Sequence, residues 1–526
     1  MSIELLNAMK AAALYDHKTS EFTLIETHIS WVLLTGPFVY KIKKPVNLGF
    51  LDFSTLEKRK KFCELEVALN KRLASDLYEG VIPISGSPEA PKLNDNSAPF
   101  EYAIKMNQFS QACLFDTMHK NGLLEVDHLQ DIAQQLARFH ASIEPCKENS
   151  QYGTPEQVWA PVQQNFEQIK PLLTQEQDLK QLERLEQWAN NEFKKHQPVI
   201  KERKKKGFIK ACHGDVHLGN ITLLNNQVTL FDCIEFNESF RWTDTMADLA
   251  FLVMDLEARQ LNHFAAIVID TYMEYSGDCC GLALLRFYKA YRALVRAKVA
   301  LFGLYNDSLN EKDKQSIVKE YRQYANLAES YCSFKKPFLA TMNGLSGSGK
   351  STVSEYIVYT QQAIRLRSDV ERKRLFGLKA DESSQLIKED IYNLNTNQKT
   401  YKKLEWLTRQ LLESGYPVVV DSAALKEEER TLFYTLSRQI SVPFIIIRCQ
   451  APDTELIRRI KKRQQNDSDA SEATPDIIYQ QHSWQDEITS KELPHTLTLD
   501  TSDKNWKLQL KERFLSLLAT SVEPAF

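Results

Sequence analysis

The sequence predicts a multidomain chain in which an α+β region is followed by an α/β region with a parallel sheet, and three observations carry that reading. Residues 20–105 form short runs of alternating apolar and polar residues around one helical stretch. From about 125 to 330 the apolar residues recur with helical period, interrupted by a single strand–loop–hairpin segment. After about 333, strand and helix patterns alternate to about 500. At about 150 residues per domain, a chain of 526 residues is expected to hold two to four domains. The boundary is expected near Ser333–Pro337, giving domains 1–333 and 337–526, the first with a β-rich part at about 20–110 and a helical part at about 111–333.

Each element has a local cause. ISWVLLTGPFVYKIKKPV alternates around Thr35-Gly36-Pro37 and predicts a β-hairpin. Ser54 to Glu57 reads as a capping box opening a helix that places Phe62, Glu66, Leu69 and Leu73 on one face. FEYAIKMNQF reads as a further strand. Helices are predicted over 128–143, 176–197 and 283–304, and KERKKK at 201–206 reads as a solvated helix end before Gly207. Between them FIKACHGDVHLGNITLLNNQVTLFDCIEF predicts a strand, a loop and a hairpin turning at Asn225-Asn226.

The second region opens with the strand PFLATMNG, and Gly344-Leu-Ser-Gly-Ser-Gly-Lys-Ser351 then matches G-x-x-x-x-G-K-[ST] in full before a helix. Glycines let the backbone turn so that several N–H groups converge on phosphate oxygens. Lys350 reaches the terminal phosphates, and the Ser351 hydroxyl can ligate Mg²⁺. Gly344, Ser346, Gly347, Ser348, Gly349, Lys350, Ser351 and Thr352 are therefore the expected nucleotide-binding set. Asp369, just after the short strand RLR, could take the proton of an acceptor hydroxyl or cap the helix that follows, and Arg372 one turn on could hold substrate or the transferring phosphate. Asp421 ends the strand VVVD and could orient Mg²⁺ or substrate. Arg459 and Arg463, four apart on one helix, could clamp phosphates as a lid closes, or simply face solvent. The segment 464–473, rich in Asn, Asp and Ser, is the expected lid and the expected protease-sensitive stretch. Residues 337–500 resemble the small P-loop kinases: gluconate and shikimate kinases, polynucleotide kinase and zeta-toxin-like enzymes. The P-loop NTPase fold follows from that resemblance.

In the first region His213-Gly-Asp-Val-His-Leu-Gly-Asn220 reads H-x-D-x-x-x-x-N, with Asp232 after the strand VTLF. Asp215 can accept or orient an acceptor hydroxyl proton, while the Asn220 amide oxygen and the Asp232 carboxylate can hold Mg²⁺ on ATP phosphates. His213 is expected to steady the loop. Asp244 and Asp248, four apart, are expected to tie the loop to a helix. HGDVHLGN and FDCIEF resemble the catalytic-loop and metal-binding motifs of the aminoglycoside phosphotransferase/choline kinase family, over about 20–325. The resemblance implies a bilobal protein-kinase-like fold in which Lys41 contacts the α/β-phosphates and pairs with Glu66. A glutamate on an apolar face is costly unless paired, which agrees. Lys43 points the same way along the strand and is the alternative to Lys41. Only Thr35-Gly36 stands where a glycine-rich loop would lie. The tandem arrangement resembles uncharacterised bacterial proteins described as both phosphotransferase and predicted kinase.

Composition bounds the function. The net charge of −3 argues against nucleic acid and anionic membranes as partners. An apolar share of 43% with 26% charged residues excludes a disordered or fibrous chain. Nine scattered cysteines without a Cys-x-x-Cys pair, a first segment without an apolar core, and no long apolar run predict a cytoplasmic protein that no helix anchors. The expectation is an enzyme using ATP and Mg²⁺ to phosphorylate hydroxyl groups of small molecules, with no obligate protein partner. The alternatives are a regulatory nucleotide sensor joined to a P-loop ATPase switch, or a nucleic-acid-end kinase in the second domain.

Overall fold

The computed structural model describes residues 2–19, 21–49, 51–305, 309–333, 337–387, 391–466 and 471–520. Residues 334–336 of the expected boundary and 467–470 of the expected lid lie outside the described residues. Two compact units group the chain: 1–132 with 139–256 and 291–322, and 133–138 with 257–290 and 323–526. The units are therefore not the two contiguous segments expected from the sequence, because residues 257–290 group with the P-loop region. Among the described residues no helix is long and apolar enough to cross a membrane.

The first unit opens with a six-stranded antiparallel sheet built from β1 (Thr23–Glu26), β2 (Ser30–Leu34), β3 (Phe38–Lys43), β4 (Tyr78–Ser87), β5 (Ala90–Leu93) and β6 (Glu101–Asn107), in the order β1-β2-β3-β6-β4-β5. Alternation along β3 divides its side chains between two cores. Tyr40 and Ile42 pack with Leu5, Leu6 and Met9 of the N-terminal segment, while Val39 faces Cys63 of the helix Leu56–Asn70. Lys41 and Lys43 share the parity of Val39, which is why both reach that helix.

The helix Leu56–Asn70 departs from expectation in two ways. Its cap is Thr55, whose side chain accepts from Lys58 N, because Ser54 is captured by Asp52 through both amide and hydroxyl. Its buried face is Arg59, Cys63, Glu66 and Asn70, with Phe62, Leu69 and Leu73 only half-buried. Polar partners explain the difference: Arg59 meets Glu101, Glu66 meets two lysines, and Asn70 meets the Cys233 amide.

The helical part of this unit contains Glu176–Lys205, with Val126–Ser142 and Leu282–Phe302 each divided between the two residue groupings. Four short strands follow Glu176–Lys205: β7 (Ile209–Ala211), β8 (Ile221–Leu224), β9 (Gln227–Leu230) and β10 (Trp242–Asp244). β8 and β9 form the expected hairpin, with Asn225 and Asn226 both at positive φ. The charge run at 201–206 is not simply a solvated end. Arg203 is buried and makes a bidentate pair with buried Asp244 at 2.7 Å through both nitrogens.

The second unit holds a parallel five-stranded sheet: β11 (Leu339–Asn343), β12 (Ile364–Arg367), β13 (Val418–Asp421), β14 (Phe444–Gln450) and β15 (Thr496–Asp500), in the order β12-β13-β11-β14-β15. Burial on both faces explains the near-continuous apolar runs VVV and FIII. β11 lies between β13 and β14, so the chain leaves its carboxyl end where crossovers diverge to either side, the crevice in which open α/β sheets bind ligands. The helix Asn262–Ser276 belongs to the same unit and packs on β12: buried Asp270 takes Arg365 at 2.6 Å, Glu274 takes Arg367 at 2.7 Å, and Arg374 caps the Met273 carbonyl.

Candidate active sites

In the first unit the loop after β7 carries Asp215 and Asn220. Asn220 Nδ2 donates to the Asp215 carbonyl (3.0 Å) and to Asp215 Oδ2 (3.2 Å), so the two side chains of the motif are brought together. The Phe231 amide donates to the Asn220 carbonyl at 3.0 Å, which sets the segment bearing Asp232 beside Asn220. His213 closes the same bridge: its Nδ1 accepts from the Asp215 amide, its Nε2 donates to the Phe231 carbonyl, and its carbonyl accepts from Ile234 N. The ring is fully used as a brace, with a hydrogen bond at each nitrogen.

Buried Asp248 anchors the start of this loop. It accepts from His213 N (3.1 Å), Gly214 N (2.8 Å) and His140 Nε2 (3.0 Å). Asp255, two turns further along, accepts from Leu218 N at 3.0 Å. Asp244 does not share this task; it holds Arg203 and accepts from Met246 N at the start of the helix Thr245–Ala258. Burial alone would raise the Asp215 carboxyl. His217, 3.5 Å away, together with His213 and Arg292, holds it well below the usual carboxylate range. Asp215 is thus an ionised carboxylate able to orient or receive a hydroxyl proton.

Five charges alternate across the other wall. Asp232 Oδ1 meets Lys41 Nζ at 2.7 Å, Lys41 meets Glu66 at 2.8 Å, Glu66 meets Lys43 at 2.6 Å, and Lys43 reaches Glu235. Both lysines therefore pair with Glu66, which answers the choice between them differently from expectation. Lys43 is buried between two carboxylates, whereas Lys41 lies at the open end against Asp232. Burial pushes Glu66 toward its neutral form, but the two lysines hold it well below the ordinary carboxylate range. Lys41 in turn loses by burial and gains more from Asp232 and Glu66, ending well above an ordinary lysine. Asp232 itself sits at φ 66°, in the left-handed region that a residue other than glycine keeps only where its surroundings fix it. Neutral and anionic oxygens from Asn220 and Asp232 make a donor set suited to a hard divalent cation.

In the second unit the loop after β11 turns through glycines that no other residue replaces. A side chain on Gly344 (φ 144°) would stand 2.4 Å from the Cys449 carbonyl, and one on Gly347 (φ 79°) 2.7 Å from the Leu456 carbonyl. The helix Lys350–Gln361 begins directly after, so the amides of Lys350, Ser351 and Thr352 occupy its first turn. Lys350 Nζ contacts the Leu345 carbonyl at 2.8 Å, and burial lowers its pKa against the pull of Asp421. Ser348 Oγ is buried with no hydrogen-bond partner among the described residues. An amide-rich cradle with a buried cation fits a polyphosphate.

A cavity of about 1030 Å³ opens on this loop and is lined by Ser346, Gly347, Gly349 to Thr352, Asp369, Arg372, Asp421, Arg459 and Arg463, so every residue expected of the second site except Gly344 and Ser348 borders one space. Asp369 is not the N-cap of the helix Ser368–Leu375; it pairs with Arg372 at 2.7 Å. Asp421 lies opposite Arg367 in the parallel register and accepts from Ser354 Oγ at 3.2 Å. Arg459 differs most from expectation. Its guanidinium is spent on Glu455, Thr501 and the Gly347 carbonyl, which braces the phosphate loop rather than leaving a free clamp.

Several lining residues gave no signal in the sequence. Gln481 accepts from Ser346 N (2.7 Å) and donates to Ser346 Oγ. Asn397 accepts from Arg372 at 3.2 Å and donates to Glu429. Glu472, from the expected lid, accepts from Ser384 N at 2.7 Å and stands 3.2 Å from Lys373. Lys43 was legible by its parity with Lys41, but nothing local marked Glu235, three residues past Asp232.

Comparison with known proteins gives two separate family matches along the chain. Residues 114–279 match a family model described as the phosphotransferase enzyme family, and residues 339–488 one described as an AAA domain. A curated protein of Mycobacterium tuberculosis, described as uncharacterized, is 27% identical over 87% of this chain and 90% of its own. Among solved structures, a choline/ethanolamine kinase family protein from Mesorhizobium loti covers 63% of this chain and 97% of its own at 11% identity and a TM-score of 0.39. The APS kinase of Mycobacterium tuberculosis, in complex with AMPPNP and APS, covers 35% of this chain and 98% of its own at 21% identity and a TM-score of 0.26. The two family matches agree with the expected tandem of a phosphotransferase-like region and a P-loop region.

Proposed function

We propose that the chain is an ATP- and Mg²⁺-dependent phosphotransferase with two active sites, one in each compact unit, that transfers the γ-phosphate to hydroxyl groups of small molecules. The observation that carries this reading is the single cavity shared by the phosphate loop and by Asp369, Arg372 and Asp421. A phosphate cradle, a carboxylate and a buried guanidinium facing one space are the parts that phosphoryl transfer needs, since its catalysis is mostly positioning and charge stabilisation. In this reading Lys350 and the first-turn amides hold the phosphates, Ser351 and Asp421 hold or orient the metal, and Asp369 receives the acceptor proton. Arg372 steadies the acceptor or the transferring group.

In the first unit Asp215 takes the role of Asp369. Lys41 engages phosphates, with Glu66 as its counter-ion, and Asn220 and Asp232 hold the cation. Bound Mg²⁺ would neutralise developing phosphate charge at both sites. The nine cysteines, present as thiols rather than disulfides, support a cytoplasmic setting. A screen with γ-labelled ATP of metabolites, antibiotics and oligonucleotides tests the proposal, run on the full chain and on its Asp215→Asn and Lys350→Ala variants. Label on a small hydroxyl compound that disappears in one variant only would assign that acceptor to one unit. Label on oligonucleotides, or nucleotide binding with no transfer to any acceptor, would favour the end-kinase or sensor alternatives.

A further inference from the structure

Glu66 has two lysines where one would neutralise it, and the second is the more deeply placed. Side-chain exposure falls along the alternating chain from Asp232 (40%) through Lys41 (14%) to Glu66 (0%), Lys43 (1%) and Glu235 (5%). Both ends of that chain lie on one short segment, 232–235. The same segment is held in its middle by the helix Leu56–Asn70: Asn70 Oδ1 accepts from Cys233 N at 2.9 Å while its Nδ2 donates to the Glu66 carbonyl. On its far side Arg241 Nη1 donates to the Ile234 carbonyl at 3.1 Å.

We propose that Lys43 and Glu235 are positioning residues of the first unit, a buried ionic tether that fixes the segment carrying Asp232 against β3 so that Asp232 and Lys41 are presented together to a metal–nucleotide complex. The inference rests on the reading that this unit binds Mg·ATP. Its physical basis is the difference between what holds Lys41 and what holds Lys43. When phosphates arrive, Lys41 must turn from Asp232 toward them, and Asp232 must turn toward the cation; the contact between the two is then lost. Asp232 is held at a left-handed φ of 66°, a backbone that persists only where its surroundings fix it. After that contact breaks, the remaining ionic link between β3 and the segment among the described residues is Lys43–Glu235, and both of its side chains are buried. Lys43 also gives Glu66 a second cation while Lys41 shares its charge with the phosphates, and a buried carboxylate that is poorly neutralised is strongly unfavourable.

The test uses the full chain carrying Lys350→Ala, which silences the phosphate loop of the second unit, and follows binding of AMP-PNP by calorimetry as Mg²⁺ is titrated. The double variant Lys43→Met/Glu235→Leu removes both charges together, so it strands no buried ion except that Glu66 then relies on Lys41 alone. It is expected to melt within a few degrees of its parent yet to need about tenfold or more Mg²⁺ for half-saturation, the size seen when a metal ligand loses its outer support. Glu235→Gln, which keeps the shape and a hydrogen bond to Lys43, is expected to move the Mg²⁺ requirement in the same direction with its melting temperature retained. It decides the matter if the double variant does not fold. An unchanged Mg²⁺ requirement in a folded variant overturns the inference and leaves the pair a packing feature. If the parent binds no AMP-PNP, the reading of the unit as a nucleotide site fails first, and the inference with it.

Discussion

Asp248→Asn offers the sharpest test of how the first site is built. The wild-type carboxylate is fully buried and accepts three hydrogen bonds: from Gly214 N on Oδ1, and from His213 N and His140 Nε2 on Oδ2. An asparagine keeps an oxygen for one backbone amide but sets an NH₂ against the other donor. One bond to a charged acceptor, worth about 1.5–3 kcal/mol, is lost, and a buried amide is left unmade at about 1–3 kcal/mol. Some of that is the same quantity counted from two sides, so the expected cost to the first unit is about 2–4 kcal/mol. Burial opposes ionisation of Asp248, but the hydrogen bond and charge of His140 and the charge of His213 hold its pKa below the ordinary 3.8. A depressed folded pKa means the stabilisation is complete above the unfolded value and is lost as pH falls through the folded one. Wild-type stability should therefore fall on acidification below about pH 4, and the asparagine variant should lack that part of the slope. Urea unfolding followed by circular dichroism, near neutral pH and in acid, reads both effects. Because Asp248 holds the two residues before Asp215, basal ATP hydrolysis by the first unit should fall as well, in a Lys350→Ala background. A variant within about 0.5 kcal/mol of wild type near neutrality, with an unchanged acid slope, would show that the anchor is not carried by this carboxylate.

Three further outcomes are expected. Asp215→Asn should leave AMP-PNP binding by the first unit nearly intact and lower phosphotransfer about a hundredfold or more, since proton removal and positioning go while phosphate contacts stay; transfer at the wild-type rate would exclude Asp215 as the catalytic residue. Lys350→Ala should cost the second unit about a thousandfold in transfer, as loss of a comparable phosphate clamp does, and spare the first; activity that survives would refute the phosphate-loop role. A chain cut at about residue 335 separates Arg365 and Arg367 from Asp270 and Glu274, so a fragment beginning at 337 should unfold at lower urea than the same unit in the full chain. Equal midpoints would show that the helix Asn262–Ser276 is no part of that unit's core.

That last expectation marks the limit of what the sequence discloses. The phosphate loop was legible because its chemistry is local: eight consecutive residues fix the turn, the amides and the lysine. The parallel sheet was legible because strands buried on both faces must read as unbroken apolar runs, as VVV and FIII do. HGDVHLGN was legible because Asp215 and Asn220 meet across one tight loop, five residues apart. The charge partners were not. Asp270 and Arg365 are 95 residues apart, Lys43 and Glu235 are 192 apart, and each of the four, taken alone, fits an ordinary polar position on its own element. Periodicity misled for the same reason on the helix Leu56–Asn70. It ranks faces by apolar content, yet beside the expected Glu66 this helix buries Arg59 and Asn70, because each finds a partner on another element. A buried ion is tolerated only where its counter-charge is supplied, and that counter-charge is set by topology rather than by neighbours in sequence. The boundary between the two regions follows the same logic. Composition changes at Pro337, but the compact unit extends to wherever the last buried charge is answered, and Arg365 is answered at Asp270.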